Sequence, residues 1–172
     1  MTSAELRRMA RRVLDLCRTR GLRIATAESC TGGLVAGALT DIAGSSDVVD
    51  RGFVTYSNAA KEVMLGVPEA TLKRHGAVSG ETAAAMVKGA LKNSLADIAV
   101  SITGIAGPGG GSKQKPVGLV YFAAASREGR RLSKQRRFGK IGRTRVRLRS
   151  VAQALALLER LAEEKLAEDL RG

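Results

Sequence analysis

Three apolar runs in this chain end abruptly in polar, glycine-bearing clusters, and that pattern constrains the fold more than any other feature. "LRIATAE", 22–28, runs into "SCTGG"; "RGFVTYS", 51–57, runs into "NAAK"; "DIAVSITG", 97–104, runs into "IAGPGGG". Short apolar runs bounded in this way read as strands. Helical periodicity fills the intervals. Residues 3–19 carry Leu6, Met9, Ala10, Val13, Leu14 and Cys17 on one stripe, and Gly21 ends the segment. From Gly32 or Gly33 to about Thr40, "GGLVAGALT" predicts a short helix of small residues suited to close packing on a sheet, and "AGSSD" a turn. Helices are predicted over 58–65, closed by Gly66, and over 68–75, with Pro68 in the first turn. Ser79 reads as the N-cap of "GETAAAMVKGALKNS", with Glu81 favourable in its first turn. Residues 106–116 are a loop, "VGLVYFAAAS" and "RRLSKQRRF" two strands joined at "REGR", and 146–170 a long C-terminal helix. The alternation predicts an α/β fold, a single domain over 1–172 with helices in two or three layers around a mixed central sheet. Such sheets bind ligands beyond the carboxyl ends of their strands, where the three clusters would converge.

Bulk properties narrow the class. At 172 residues the chain is one domain by length, enough to bury about two-thirds of its unfolded surface. Aromatic residues make up only 3%, so the core must be built from Ala, Val, Leu and Ile. No uninterrupted apolar run reaches membrane-spanning length, and the arginine-laced N-terminal segment lacks a signal-peptide pattern. Cys17 and Cys30 are the only cysteines, so no disulfide framework is expected. The expectation is a cytoplasmic protein with reduced thiols. A formal net charge of +13 implies an anionic substrate or a polyanionic partner, and much of it lies between Lys134 and Arg149. With two tyrosines, three phenylalanines and no tryptophan, a stacking platform for nucleic acid is poorly supplied. Nucleic acid is therefore the less favoured partner, against a basic solvated face in which one or two arginines hold a phosphate.

Elimination shapes the chemistry. The single histidine, His75, lies in "LKRHGAVS", far in sequence from any glycine-flanked hydroxyl, and reads as a helix-end residue. A Ser-His-Asp or Cys-His mechanism would have to use it. One histidine and two separated cysteines argue against catalytic zinc, and neither a P-loop nor a dinucleotide fingerprint is present. What remains is a hydroxyl or thiol activated by lysine or tyrosine. Ser29 follows a strand and precedes a helix. Either it is a nucleophile beside unpaired N–H groups able to hold an oxyanion or phosphate, or Ser29 or Thr31 merely caps the helix. Cys30 is the alternative nucleophile, with buried packing as its simpler reading. In "TYSNAAK", Tyr56 ends a strand and Lys61 lies about one helical turn beyond Asn58, facing the same crevice. Burial would lower the pKa of such a lysine enough to make it a base; an exposed lysine is the alternative. In "SITGIAGPGGG" the glycines permit close backbone approach and Thr103 supplies a hydroxyl, or the stretch is a solvent loop.

"TAESCTGG", "DIAGSSDVVDRGFVTYSNAAK", "GVPEATLKRHGAVS" and "SITGIAGPGGGSKQKPVGLVYFA" together resemble the CinA C-terminal domain family, from about residue 5 to about residue 160. The resemblance is to the stand-alone form, without the molybdopterin-binding-like CinA domain. It implies hydrolysis of the carboxamide of nicotinamide mononucleotide to nicotinate mononucleotide and ammonia, in pyridine nucleotide recycling. It also implies a metal-free serine mechanism without cofactor, and a homodimer or higher homo-oligomer. By motif, Ser29 corresponds to the nucleophile and Tyr56 and Lys61 to its activating partners. Thr103 and Gly104 in "TGIAGP" and Arg143 in "GRTRVR" correspond to substrate contacts, although the stretch "GKIGR" also admits Arg145 or Arg147 in the last role. Backbone N–H groups of Thr31, Gly32 and Gly33 would hold the oxyanion. The contrasting reading is a non-enzymatic DNA- or partner-binding protein of the competence/damage-inducible type, supported by the 134–149 charge run.

Overall fold

The computed structural model describes residues 1–169. Its helices are α1 (Ser3–Thr19), α2 (Leu34–Thr40), α3 (Asn58–Leu65), α4 (Glu69–His75), α5 (Gly80–Lys92) and α6 (Arg143–Asp169). Its strands are β1 (Ile24–Glu28), β2 (Val49–Val54), β3 (Ile98–Gly104), β4 (Leu119–Ser126) and β5 (Arg131–Arg137). A 3-10 turn covers Ser45–Asp47.

Local chemistry sets most boundaries. Thr2 and Glu5 form a reciprocal capping box on α1. Ser57 and Ser79 accept the N–H groups of Ala60 and Thr82, capping α3 and α5. Gly66, left-handed at φ 63°, closes α3. Among the boundaries that differ from expectation, two have a local cause and the α6 start lies earlier than its apolar stripe. Pro68 stands at the N-cap of α4 rather than in its first turn, because its ψ of 133° is extended. β2 covers 49–54 rather than 51–57, because the chain leaves the sheet after Thr55 and turns so that Ser57 can cap α3. α6 begins at Arg143, ahead of the apolar stripe that opens at Val146. Leu170, the expected last residue of that helix, lies outside the described residues.

The sheet order is β2-β1-β3-β4-β5, with β1 parallel to β2 and β3, and β4 antiparallel to both neighbours. Period-two alternation gives the sheet two unlike faces. Ile24, Ile98, Val100, Ile102, Val120 and Phe122 point into a bulky core shared with α1, α2 and α6. Ala25, Ala27, Ala99, Ala123 and Ala125 point the other way, against Leu65 of α3, Leu72 of α4 and Met86 of α5. The arrangement is three-layered. Bulky side chains contribute roughly 1.5–3 kcal/mol each when fully buried; the alanine face contributes less and lets α5 approach the strands closely. The same closeness holds between α3 and α5, where a Cβ on Gly89 would lie 1.9 Å from the Leu65 carbonyl oxygen.

The connections mark where side chains from both layers can meet. α2 carries the chain from β1 to β2 across one face; α3, α4 and α5 carry it from β2 to β3 across the other. β1 is thus the strand at which the winding reverses, and Ser29 lies just beyond its carboxyl end, the place where such sheets bind ligands.

Gly89→Ala should destabilise the fold by about 2–3 kcal/mol, overpacking the α3–α5 contact by more than the roughly 1 kcal/mol of helix propensity it gains. Denaturant unfolding at constant m-value checks this.

Candidate active site

Ser29 is held by the sheet itself. Its N–H donates to the Ile102 carbonyl at 2.9 Å, extending the β1–β3 ladder by one residue. Lys61 comes from α3, whose start is fixed by the Ser57 cap. Its Nζ lies 3.1 Å from Ser29 Oγ and 2.9 Å from the Thr55 carbonyl oxygen. The Lys61 side chain is 1% exposed, and no carboxylate pairs with it among the described residues. Burial dominates and holds this amine below its ordinary pKa. A Cys30 thiolate would oppose the shift, but burial pushes that thiol up to about 12, so it stays neutral at ordinary pH. The same burial makes Cys30 a poor nucleophile. A neutral Lys61 has two N–H donors and a lone pair. It can donate to Thr55 and accept the Ser29 hydroxyl proton, which is the arrangement a general base needs.

The turn after Ser29 is pinned from two sides. Glu28, fully buried at the end of β1, accepts the N–H groups of Gly33, Val35 and Ala36 at 3.1, 3.0 and 2.9 Å. A carboxylate thus satisfies the start of α2 and its dipole. Gly33 is the N-cap residue and has no side chain to cap with, so neither Ser29 nor Thr31 caps the helix. Gly32 N–H closes the turn onto the Ser29 carbonyl at 3.0 Å. The N–H groups of Gly32 and Gly33 are therefore committed within the protein, and those of Cys30 and Thr31 are the ones without an acceptor among the described residues. From α6, Arg147 donates through Nε to the Cys30 carbonyl at 3.2 Å and through Nη2 to the Thr31 carbonyl at 2.9 Å.

The other expected residues are distributed around this centre. Tyr56 is 61% exposed, and its hydroxyl accepts from Arg143 Nη2 at 2.7 Å; no hydrogen bond joins it to Ser29 or Lys61. Arg143 also donates through Nη1 to the Gly107 carbonyl at 2.9 Å, bridging the end of β2 and the glycine-rich loop after β3. Arg143 and Arg147, four apart on α6, share a helix face. Arg145 instead lines a shallow surface depression with Met1 and Leu148. Thr103 is buried and its hydroxyl donates to the Ala77 carbonyl at 2.6 Å. Gly104 lies against β4, where a Cβ would come within 2.7 Å of Val120. His75 ends α4 and lies 3.5 Å from Glu81. Among the described residues, no group of three His, Cys, Asp or Glu side chains is arranged to hold a metal, and no helix is long and apolar enough to cross a membrane. An apolar groove of about 600 Å³ lies elsewhere, between α5 and the β4–β5 hairpin, without a nucleophile–base pair.

Comparison with known proteins decides the family. The CinA C-terminal domain matches residues 6–162. The chain belongs to the CinA C-terminal domain family. The nicotinamide-nucleotide amidohydrolase PncC of Escherichia coli K12 is 51% identical over 92% of this chain and 95% of its own length. A putative competence-damage inducible protein of Caldicellulosiruptor bescii is 59% identical over 67% of this chain but only 28% of its own, so the chain spans about a quarter of that longer relative. The competence/damage inducible protein CihA from Agrobacterium tumefaciens superposes with a TM-score of 0.88 at 57% identity, covering 89% of this chain and 93% of that one. The three-layer arrangement is accordingly that of CinA-superfamily structures.

In this CinA domain two residues of the site were not assigned their roles by sequence. Glu28 stands in the quoted motif, yet nothing local says that it serves N–H groups up to Ala36. Its only sequence signal is an acidic residue closing a buried strand just ahead of a helix that lacks a capping side chain. Arg147 enters only as an alternative phosphate ligand, because its partners lie more than a hundred residues upstream.

Burying Lys61 couples its proton to folding. Below its folded pKa both states hold the proton, and the native state bears the full desolvation cost. Between that value and 10.5 the unfolded chain binds the extra proton, so stability rises with pH. Lys61→Met should abolish this rise, which is at most about 1.4 kcal/mol per pH unit. Melting temperatures of wild type and variant measured from pH 7 to 10 should shift progressively in favour of the wild type.

Proposed function

We propose that this chain is a nicotinamide-nucleotide amidohydrolase that releases ammonia from nicotinamide mononucleotide by Ser29–Lys61 catalysis. The observation that carries the reading is the contact between a buried, carboxylate-free lysine and a serine at the sheet's switch point, in a chain half-identical to PncC. Neutral Lys61 takes the Ser29 proton as Oγ attacks the carboxamide carbon. The tetrahedral oxyanion is met by backbone N–H groups of the turn after Ser29, each such donor worth about 3 kcal/mol. Collapse breaks the C–N bond, and the nitrogen leaves as ammonia with the proton returned by Lys61. Water, deprotonated by the same amine, then attacks the acyl ester and releases nicotinate mononucleotide and free Ser29. No metal or cofactor enters the scheme.

Arg143 binds the substrate phosphate. It is held between Tyr56 and the Gly107 carbonyl, and it is exposed to solvent. Tyr56 acts through Arg143 rather than on the Ser29 proton. Thr103 shapes the pocket wall by anchoring the Ala77 loop. The functional unit is a cytoplasmic homo-oligomer.

Ser29→Ala should reduce ammonia release by more than about 10³-fold while leaving the melting temperature within a few degrees. Full activity in that variant would overturn the assignment. Steeply salt-dependent retention on DNA by a wild type that releases no ammonia would favour a binding protein instead. Arg143→Ala should raise KM by at least about tenfold with kcat nearly unchanged, as expected when uniform ground-state binding is lost. Steady-state kinetics over a range of mononucleotide concentrations separates the two parameters.

A further inference from the structure

We infer that Arg147 is a positioning residue for catalysis: it fixes the peptide between Cys30 and Thr31 so that the Thr31 N–H is presented as an oxyanion donor. The inference rests on the amidohydrolase reading above.

Four observations support it. First, Arg147 reaches two successive carbonyls, those of Cys30 and Thr31, at 3.2 and 2.9 Å. The planar guanidinium fork serves both at once in a fixed geometry. Second, a peptide unit is planar and trans, so its N–H points opposite to its C=O. Holding the Cys30 carbonyl toward α6 therefore turns the Thr31 N–H away from α6. Third, the turn is closed by Gly32 N–H on the Ser29 carbonyl. In such a turn the N–H two residues on lies within reach of the opening residue's side chain, the relation exploited by helix caps. Here that side chain is Ser29, but its Oγ is engaged by Lys61 instead. Fourth, the Thr31 N–H has no acceptor among the described residues although Thr31 is fully buried. A buried unpaired N–H costs about 1–3 kcal/mol, and an oxyanion formed at Ser29 would satisfy it.

The surroundings leave little freedom for the turn. Glu28 takes Gly33 and the first N–H groups of α2, so the helix cannot slide to offer other donors. Gly32 has φ 57°, and a Cβ there would sit 3.3 Å from Arg147 Nη2, so the guanidinium lies directly against the turn's backbone. Arg147 approaches carbonyls only, which distinguishes it from Arg143, whose guanidinium meets a tyrosine hydroxyl at the crevice mouth.

The test compares wild type, Arg147→Met and Arg147→Lys in three measurements on the intact protein. These are kcat and KM for ammonia release, affinity for the product nicotinate mononucleotide, and affinity for the analogue bearing an aldehyde in place of the carboxamide. The aldehyde adds the Ser29 hydroxyl across its C=O bond and places an oxygen where the oxyanion forms. Arg147→Met should lower kcat by about 10²–10³-fold, the loss associated with one oxyanion donor. Aldehyde affinity should fall in parallel, while KM and product affinity change little. Arg147→Lys, which keeps the charge without the fork, should lose activity in the same pattern, and it carries the test if the methionine variant fails to fold. The inference is overturned if kcat stays within about threefold of wild type, if KM rises while kcat is kept, or if product and aldehyde affinities fall together. A wild type that releases no ammonia removes the amidohydrolase reading and this inference with it; an active wild type with unaffected Arg147 variants removes this inference alone.

Discussion

An amine held out of water, with one hydroxyl and one carbonyl oxygen as its partners, is the constraint on which the site depends. Charged, Lys61 would demand a carboxylate or water, and neither a pairing carboxylate nor solvent access is present around it. Neutral, it can donate to the Thr55 carbonyl and accept the Ser29 hydroxyl proton without either. The cost of burying Lys61 is borne by the fold, since desolvating an ammonium opposes folding wherever the group is protonated.

The sheet makes that environment affordable. Its alanine face admits α3 and α5 at close range, and α3 is the helix that delivers Lys61. Its isoleucine- and valine-rich face anchors α2 and α6, which carry the glycine turn and the two arginines. The two layers meet the strand ends from opposite sides, so Ser29, Lys61 and the two arginines converge where the winding reverses at β1.

Much of this was legible in the residues. The cap at Ser79, closure at Gly66 and the unbroken apolar stripes were read correctly because each is decided within a few residues. Ser29 and Lys61 were brought to one crevice by strand-end reasoning, since each lies next to the carboxyl end of a parallel strand. The end of β2 was misplaced because Tyr56 and Ser57 have the composition of a strand but are pulled out by the α3 cap. Tyr56 was paired with the dyad by motif, whereas its hydroxyl meets Arg143, a contact between residues 87 apart in sequence that no local pattern encodes. Glu28 and Arg147 escaped for the same reason. Their value lies in backbone groups they reach across the fold, and backbone groups leave no mark in a sequence.

The position of α6 in the chain has a consequence for biosynthesis. The turn that carries Ser29 is made early, but the guanidinium groups of Arg143 and Arg147 that bond to Tyr56 and to this turn come from α6, the last helix of the domain. A chain translated only as far as residue 142 holds Ser29 and Lys61 but neither Arg143 nor Arg147. Whatever the two arginines do at the Ser29–Lys61 pair therefore begins only with this last helix.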